Sequence, residues 1–233
     1  AEALDDGVDD PGVLVAVGYE VESQYRRTVE GLAGALERSP RSDRSSRPFL
    51  MVQDWDFNGY GAPVELIARL FAEIPSFRSL KVEVVPAGVK YTEVLDATAG
   101  RLHVAGGWAV GQMIEGLDRG VHAFMPTGMH EIYCEIYRRF VGGDRPRAQA
   151  LFRELLPVLA FANQHLDISI HFFKRLLHRE GLYPTARVRS PSLAFDAYHE
   201  QTAEELIELV IALTRRVTDA SERAGATAKE DAR

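Results

Sequence analysis

Lysine is scarce in this chain of 233 residues, occurring only as Lys81, Lys90, Lys174 and Lys229. Lys81 sits in Ser79-Leu80-Lys81-Val82-Glu83-Val84-Val85, whose apolar, β-branched run predicts a strand over Leu80 to Val85. A lysine inside such a strand either extends its amine to water or lies desolvated among inward side chains. Desolvation lowers its pKa and leaves neutral amine, the form that condenses with a carbonyl. Strand alternation puts Glu83 on the same side, where its carboxylate can relay protons but also favours the charged lysine. Two readings stand: a Schiff-base lysine with a proton shuttle, or a structural Lys81–Glu83 pair at a strand edge.

Other chemistry-bearing residues cluster at predicted strand ends. Gln53-Asp54-Trp55-Asp56 follows a strand predicted over Phe49 to Val52, and Gly106-Gly107 follows one over Leu102 to Ala105. Met125-Pro126-Thr127-Gly128 closes a strand over Val121 to Met125. Carboxyl ends of parallel strands are where α/β folds place their sites, and glycine there lets a ligand approach the backbone. Ordinary polar loops and tight turns account for the same segments. His171 and His178 are two helical turns apart, not the single turn of a helical metal pair. His103 reads as a core histidine, and His122 and His130 lack a partner at motif spacing, so no metal site is expected. Neither a glycine-rich phosphate motif nor a GxSxG elbow is present.

The elements that must position these residues alternate. Strands are predicted over Val13 to Tyr19 and at the four places above, with helices between them. The helices are predicted over Gln24 to Leu36, from Pro63 onward, Tyr91 to Ala97, Val110 to Leu117 and Glu131 to Phe140. The Pro63 helix carries Leu66, Ile67, Leu70, Phe71 and Ile74 on one stripe. Such alternation implies five βα units with parallel strands and right-handed crossovers. After Gly142-Gly143-Asp144 only helices remain: Ala148 to Asn163, with a kink expected at Pro157, then Ile168 to Glu180 and Ala203 to Ala220. The tail from Ala224 is expected to fray. Ala1 to Gly7 reads as the last turn of a helix with a glycine stop, and Ser39 to Arg47 as a solvated polar loop.

Composition bounds the function. Lys and Arg total 27 against 34 Asp and Glu, a net charge of 27 − 34 = −7, which argues against a general nucleic-acid or anionic-membrane binder. Cys134, the only cysteine, excludes an intrachain disulfide and a thiolate metal cage. No apolar run approaches the roughly 18–20 residues of a membrane helix, and the acidic start does not read as a signal peptide. A reduced, cytoplasmic protein is expected.

The order of these features resembles the dihydrodipicolinate synthase / N-acetylneuraminate lyase family of class I aldolases and dehydratases. Ala68 through Lys81 is similar to the family's helix 5 running into strand 6, whose lysine forms a Schiff base with a 2-keto acid. Leu102-His103-Val104-Ala105-Gly106-Gly107 is similar to strand 7 with its substrate-facing glycine. Gly120 to Phe140, and Phe152 to Leu182 beyond it, resemble strand 8, helix 8 and the C-terminal helical subdomain. The resemblance implies an α/β fold of the (β/α)8 TIM-barrel type: a partial barrel over residues 1–143, with strands equivalent to 4–8, then a helical subdomain over 144–233. At roughly 30 residues per βα unit, the resemblance implies that about three units of such a barrel are missing here, through truncation, replacement by a partner chain or a segment beyond this sequence. The rival architecture is a five-stranded doubly wound sheet of flavodoxin type.

The resemblance further implies a lyase, an aldolase or dehydratase acting on a pyruvate-like 2-keto acid through Lys81. Gln53, Asp54 and Glu83 would orient or relay protons, and Tyr19, Gly106, Gly107 and Met125 would line the substrate. The family's tyrosine at the end of strand 5 has no counterpart, since that place reads Met51-Val52-Gln53-Asp54. No cofactor and no metal are implied. The implied partners are a small 2-keto acid and further copies of the chain in a homo-oligomer, with neither nucleic acid nor membrane. The alternative is a non-catalytic relative that binds a keto acid or a partner chain.

Overall fold

A computed structural model describes residues 12–17, 19, 21–38, 48–107 and 110–230. The expectations for Ala1 to Gly7 and Ser39 to Arg47 fall outside these residues. By contacts the chain divides into two compact units, Ala1–Met125 and Pro126–Arg233.

The first unit is a parallel sheet layered with helices. Its strands are β1 (Gly12–Val17), β2 (Phe49–Asp56), β3 (Phe77–Val84), β4 (His103–Gly106) and β5 (Ala123–Phe124). All four pairings are parallel, and the spatial order is β1-β2-β3-β4-β5. Each strand therefore pairs with the next in sequence. A doubly wound sheet reverses direction at a switch point, so the flavodoxin-type rival is excluded. Sequential parallel neighbours are how a (β/α)8 barrel is wound.

Between the strands run α1 (Glu22–Glu37), α2 (Val64–Glu73), α3 (Gly88–Ala97) and α4 (Met113–Asp118), the last preceded by a 3-10 turn at Val110–Gln112. Their apolar stripes meet one face of the sheet. Leu50, Val52, Leu80, Val82, Val84 and Val104 from the strands share a core with Tyr25 and Val29 of α1. Leu66, Ile67 and Leu70 of α2 and Tyr91 and Val94 of α3 complete that core. At 3.6 residues per turn these positions recur on one side of each helix, so their burial orients it. Residues of the opposite sheet face, among them Met51, Gln53 and Lys81, are only half-buried.

Two boundaries differ from expectation in ways that matter for the site. β2 does not stop at Val52 but runs to Asp56, so Gln53-Asp54-Trp55-Asp56 forms strand rather than loop. The buried alternation Leu50, Val52, Asp54 continues because Asp54 finds polar partners in the helix layer, described below. α3 begins at Gly88 rather than Tyr91, which brings Lys90 onto its buried side with Tyr91 and Val94.

The second unit is helical: α5 (His130–Val141), α6 (Arg145–Ala162), α7 (Leu166–Arg179) and α8 (Ala197–Glu230). α5 packs on α6 and α8, and α6 packs on α7. Asp144 caps α6 by accepting from the Arg147 amide at 3.1 Å. Pro157 lies inside α6, which continues past it to Ala162. α8 is longer than expected at both ends and reaches Glu230. Its stripe of Ala203, Ile207, Val210, Leu213 and Val217 anchors it. The alanines that follow, Ala224, Ala226 and Ala228, carry the highest helix propensity. No described helix is long and apolar enough to cross a membrane.

Candidate active site

β2 and β3 bring the candidate groups together through their register. Gln53 pairs with Lys81, and Lys81 with Ala105, so these three share one row across the sheet. Lys81 Nζ lies 2.9 Å from Glu83 Oε1, with the two side chains 12 % and 10 % exposed. Gln53 Nε2 donates to the other carboxylate oxygen of Glu83. Glu83 is thereby held from two sides: the amide fixes its orientation, and the amine takes the remaining oxygen. The trio lies on the sheet face away from the helix layer, as the burial of Leu80, Val82 and Val84 on the other face requires.

Gly107 closes the same site. Its amide donates to Val82 O at 3.3 Å, and a Cβ at this position would run into the Glu83 carboxylate. Only glycine lets β4's end approach the Lys81–Glu83 pair this closely. Gly106 faces the other way. A Cβ there would meet the Phe124 ring at 2.7 Å and Tyr91 Oη at 2.8 Å, both packed in the helix layer. Met125 follows β5, its amide donating to Gly106 O at 3.0 Å and its side chain exposed.

Two of the expected site residues sit elsewhere. Tyr19 packs against the core on the helix side, edge to face with Tyr25 at 5.9 Å. Asp54 is fully buried on the face opposite Lys81, since it is one residue out of phase with Gln53. It accepts from the Ala62 amide at 2.9 Å and from Lys90 Nζ. Lys90, also fully buried, donates in addition to Tyr60 O, and to Ala62 O at 2.8 Å. The three ammonium hydrogens therefore have three oxygen acceptors. Burial pushes the Asp54 carboxyl up, against the pull of Lys90. Burial likewise pushes Lys90 down, against the pull of Asp54. Desolvation thus dominates both partners, so the pair specifies geometry more than it adds stability.

What this buried pair fixes is the connection from β2 to α2. The Gly61 amide donates to Asp56 at 3.2 Å, and Gly61 adopts a left-handed φ of 68°. Tyr60 lays its ring over Lys90 at 4.8 Å, and its hydroxyl donates to Glu93. Tyr60 is the tyrosine nearest the end of β2 in sequence, yet it serves the Asp54–Lys90 cluster rather than Lys81. Sequence reasoning missed Lys90. Starting α3 at Gly88 would have revealed it, because Lys90 then falls on the stripe of Ala87, Tyr91, Val94 and Thr98.

Further along the same sheet face, Ser79 Oγ lies 3.1 Å from His103 Nδ1. The His103 ring stacks on His122 at 5.0 Å. Burial, with help from His122, lowers the His103 pKa below its ordinary value of 6.5. Among the described residues no group of three or more His, Cys, Asp or Glu is placed to hold a metal ion.

No family model matches the sequence, and no curated protein matches it. Solved structures do. Dihydrodipicolinate synthase from Rhodopseudomonas palustris superposes with a TM-score of 0.71 at 18 % identity, over 87 % of this chain and 65 % of its own. Sialic acid aldolase from Ruminococcus gnavus gives 0.67 at 15 % identity, over 91 % and 68 %. The 4-hydroxy-tetrahydrodipicolinate synthase of Methylacidiphilum fumariolicum gives 0.67 at 15 %, over 89 % and 66 %. The chain thus spans about two thirds of the length of these structures. At such identities the likeness speaks for architecture. The sheet and helices of this chain have the fold of the dihydrodipicolinate synthase / N-acetylneuraminate lyase family, as a partial (β/α)8 barrel followed by helices.

Proposed function

We propose that the chain carries the site of a Schiff-base lyase, an aldolase or dehydratase acting on a pyruvate-like 2-keto acid through Lys81. The observation that supports this most is the Lys81–Glu83 pair, 2.9 Å apart on the sheet face opposite the helices of the first unit. An amine next to a carboxylate is the minimal equipment for reversible imine chemistry. Glu83 first accepts the proton that Lys81 gives up. The free amine then attacks the keto carbon, a C–N bond forms and the carbonyl electrons move onto oxygen, which takes the proton held by Glu83. Glu83 next removes a proton from the nitrogen to give the neutral carbinolamine. Glu83 returns a proton to the resulting hydroxyl, and water leaves to give the iminium.

The iminium then acts as an electron sink. When the proton of a C4 hydroxyl is removed, the bond between C3 and C4 breaks, an aldehyde leaves and the electrons enter the iminium to give an enamine. Alternatively, proton removal at C3 gives the enamine, which expels the protonated C4 hydroxyl as water to leave a conjugated iminium. Protonation and hydrolysis release the keto acid and restore Lys81. Gln53 keeps the Glu83 carboxylate facing the nitrogen throughout. In this reading Glu83 supplies the proton transfers that a strand-5 tyrosine supplies in the family. Gly107 lets the end of β4 sit against the Glu83 carboxylate, and the cluster around Asp54 and Lys90 positions the β2–α2 connection without touching substrate.

The test is reduction with borohydride in the presence of pyruvate, followed by mapping of the modified lysine. Glu83→Gln should slow adduct formation by about 10²–10⁴-fold, the usual contribution of a positioned acid–base group. Keto-acid binding with no adduct on Lys81 would favour a non-catalytic binding protein instead.

A further inference from the structure

We propose that the residues beyond Lys81 on the same face, centred on Trp55, select 2-keto acids bearing a planar apolar substituent. This rests on the reading of Lys81 as the Schiff-base residue and specifies its substrate class. Trp55 pairs with Glu83 in the register and lies two residues past Gln53, on the same face as Lys81. With about 3.3 Å per residue and about 4.8 Å between strands, its Cα lies roughly 8 Å from that of Lys81. Aromatic side chains reach across that diagonal.

The surroundings are apolar and open. Trp55 is 43 % exposed, and Val85, which directly follows β3 and continues its alternation after Lys81 and Glu83, is 49 % exposed. Phe57 braces the indole edge to face at 5.4 Å between ring centroids. The face therefore changes character along the strand direction. Gln53, Lys81 and Glu83 form a polar floor, and Trp55, Phe57 and Val85 stand at its carboxyl-end rim. Small-molecule sites combine a few converging polar groups with mostly apolar walls. A keto group held at Lys81 directs the far end of its chain to this rim. A flat, apolar group there covers the indole, whereas the single methyl of pyruvate leaves it in water.

The experiment compares calorimetric binding of phenylpyruvate and pyruvate to the native protein, Trp55→Ala and Trp55→Phe, with borohydride trapping in parallel. Phenylpyruvate is expected to bind about tenfold or more tightly than pyruvate, as burial of an aromatic ring predicts. The ratio should fall toward one in Trp55→Ala and be kept in Trp55→Phe. A native ratio near one, no measurable phenylpyruvate binding, or a ratio indifferent to Trp55→Ala overturns the proposal. A substitution that alters only self-association, leaving the ratio untouched, overturns it as well. A Trp55-dependent ratio without any Lys81 adduct upholds the apolar subsite and defeats the Schiff-base reading. An adduct with pyruvate but no selectivity does the reverse.

Discussion

Two lysine–carboxylate pairs occupy opposite faces of the same sheet. Lys81 and Glu83 lie on β3, about a tenth of each side chain reaching solvent, and Gln53 steadies the carboxylate. Asp54 on β2 and Lys90 on α3 lie in the helix layer with no exposure. The charges are the same, but the surroundings differ. Every ammonium hydrogen of Lys90 is matched to an oxygen of Asp54, Tyr60 or Ala62, so nothing is left with which to meet a ligand. Lys81 lies on the opposite sheet face, paired with Glu83 at 2.9 Å. One pair fixes a connection, and in the proposed reading the other exchanges protons. The difference arises from a single step in strand phase, because Gln53 and Asp54 are consecutive residues.

That contrast is open to mutation. The largest loss of stability is expected for Lys90→Met, which leaves a buried carboxylate without its partner and should cost about 3–5 kcal/mol. Replacing both members, Asp54→Leu with Lys90→Met, should recover much of that loss in denaturant titrations, since both desolvation costs disappear. Gly61→Ala comes next. Its φ of 68° disfavours any side chain, and the added Cβ would sit 2.6 Å from Asp54 Oδ1. A cost of about 1–3 kcal/mol is expected. Lys81→Met should cost less, about 1 kcal/mol, because water and Gln53 can still serve Glu83. If Lys81→Met proves as destabilising as Lys90→Met, the two pairs do not differ in kind.

The smallest effect expected is a pH dependence that belongs to neither pair. The folded-state pKa of His103 lies below its ordinary value of 6.5, lowered first by burial and then by His122. A group depressed in this way contributes stability that is present above its unfolded pKa and lost as pH falls through the folded one. The melting temperature should therefore decline below about pH 6.5, and His103→Gln should flatten that decline. An unchanged pH profile in His103→Gln would place the acid sensitivity elsewhere.

Much of the architecture was legible because it depends on periodicity. Val13 to Tyr19 and Leu80 to Val85 read as strands, and the Pro63 helix showed its stripe, since burial on one side of a helix demands regular spacing. The Lys81–Glu83 juxtaposition was legible for the same reason: two residues apart on a strand means one face. What failed depended on partners distant in sequence. Asp54 resembles a polar loop residue until Lys90, on another element, is known to meet it. The same holds for Gly106 and Gly107, where one step of phase decides which glycine abuts Glu83 and which packs against Phe124 and Tyr91. Tyr19 likewise ended against Tyr25, because the helix layer offered it an aromatic neighbour. Sequence spacing identifies which residues share a face. It does not reveal which face a strand will present when a polar residue can be satisfied in the core.

The most direct measurement is borohydride reduction with pyruvate and with phenylpyruvate, followed by peptide mapping of all four lysines. The account predicts a stable adduct on Lys81, none on the sequestered Lys90, and none on any lysine of Lys81→Met. An unlabelled Lys81, or labelling of Lys90 in its place, would contradict it.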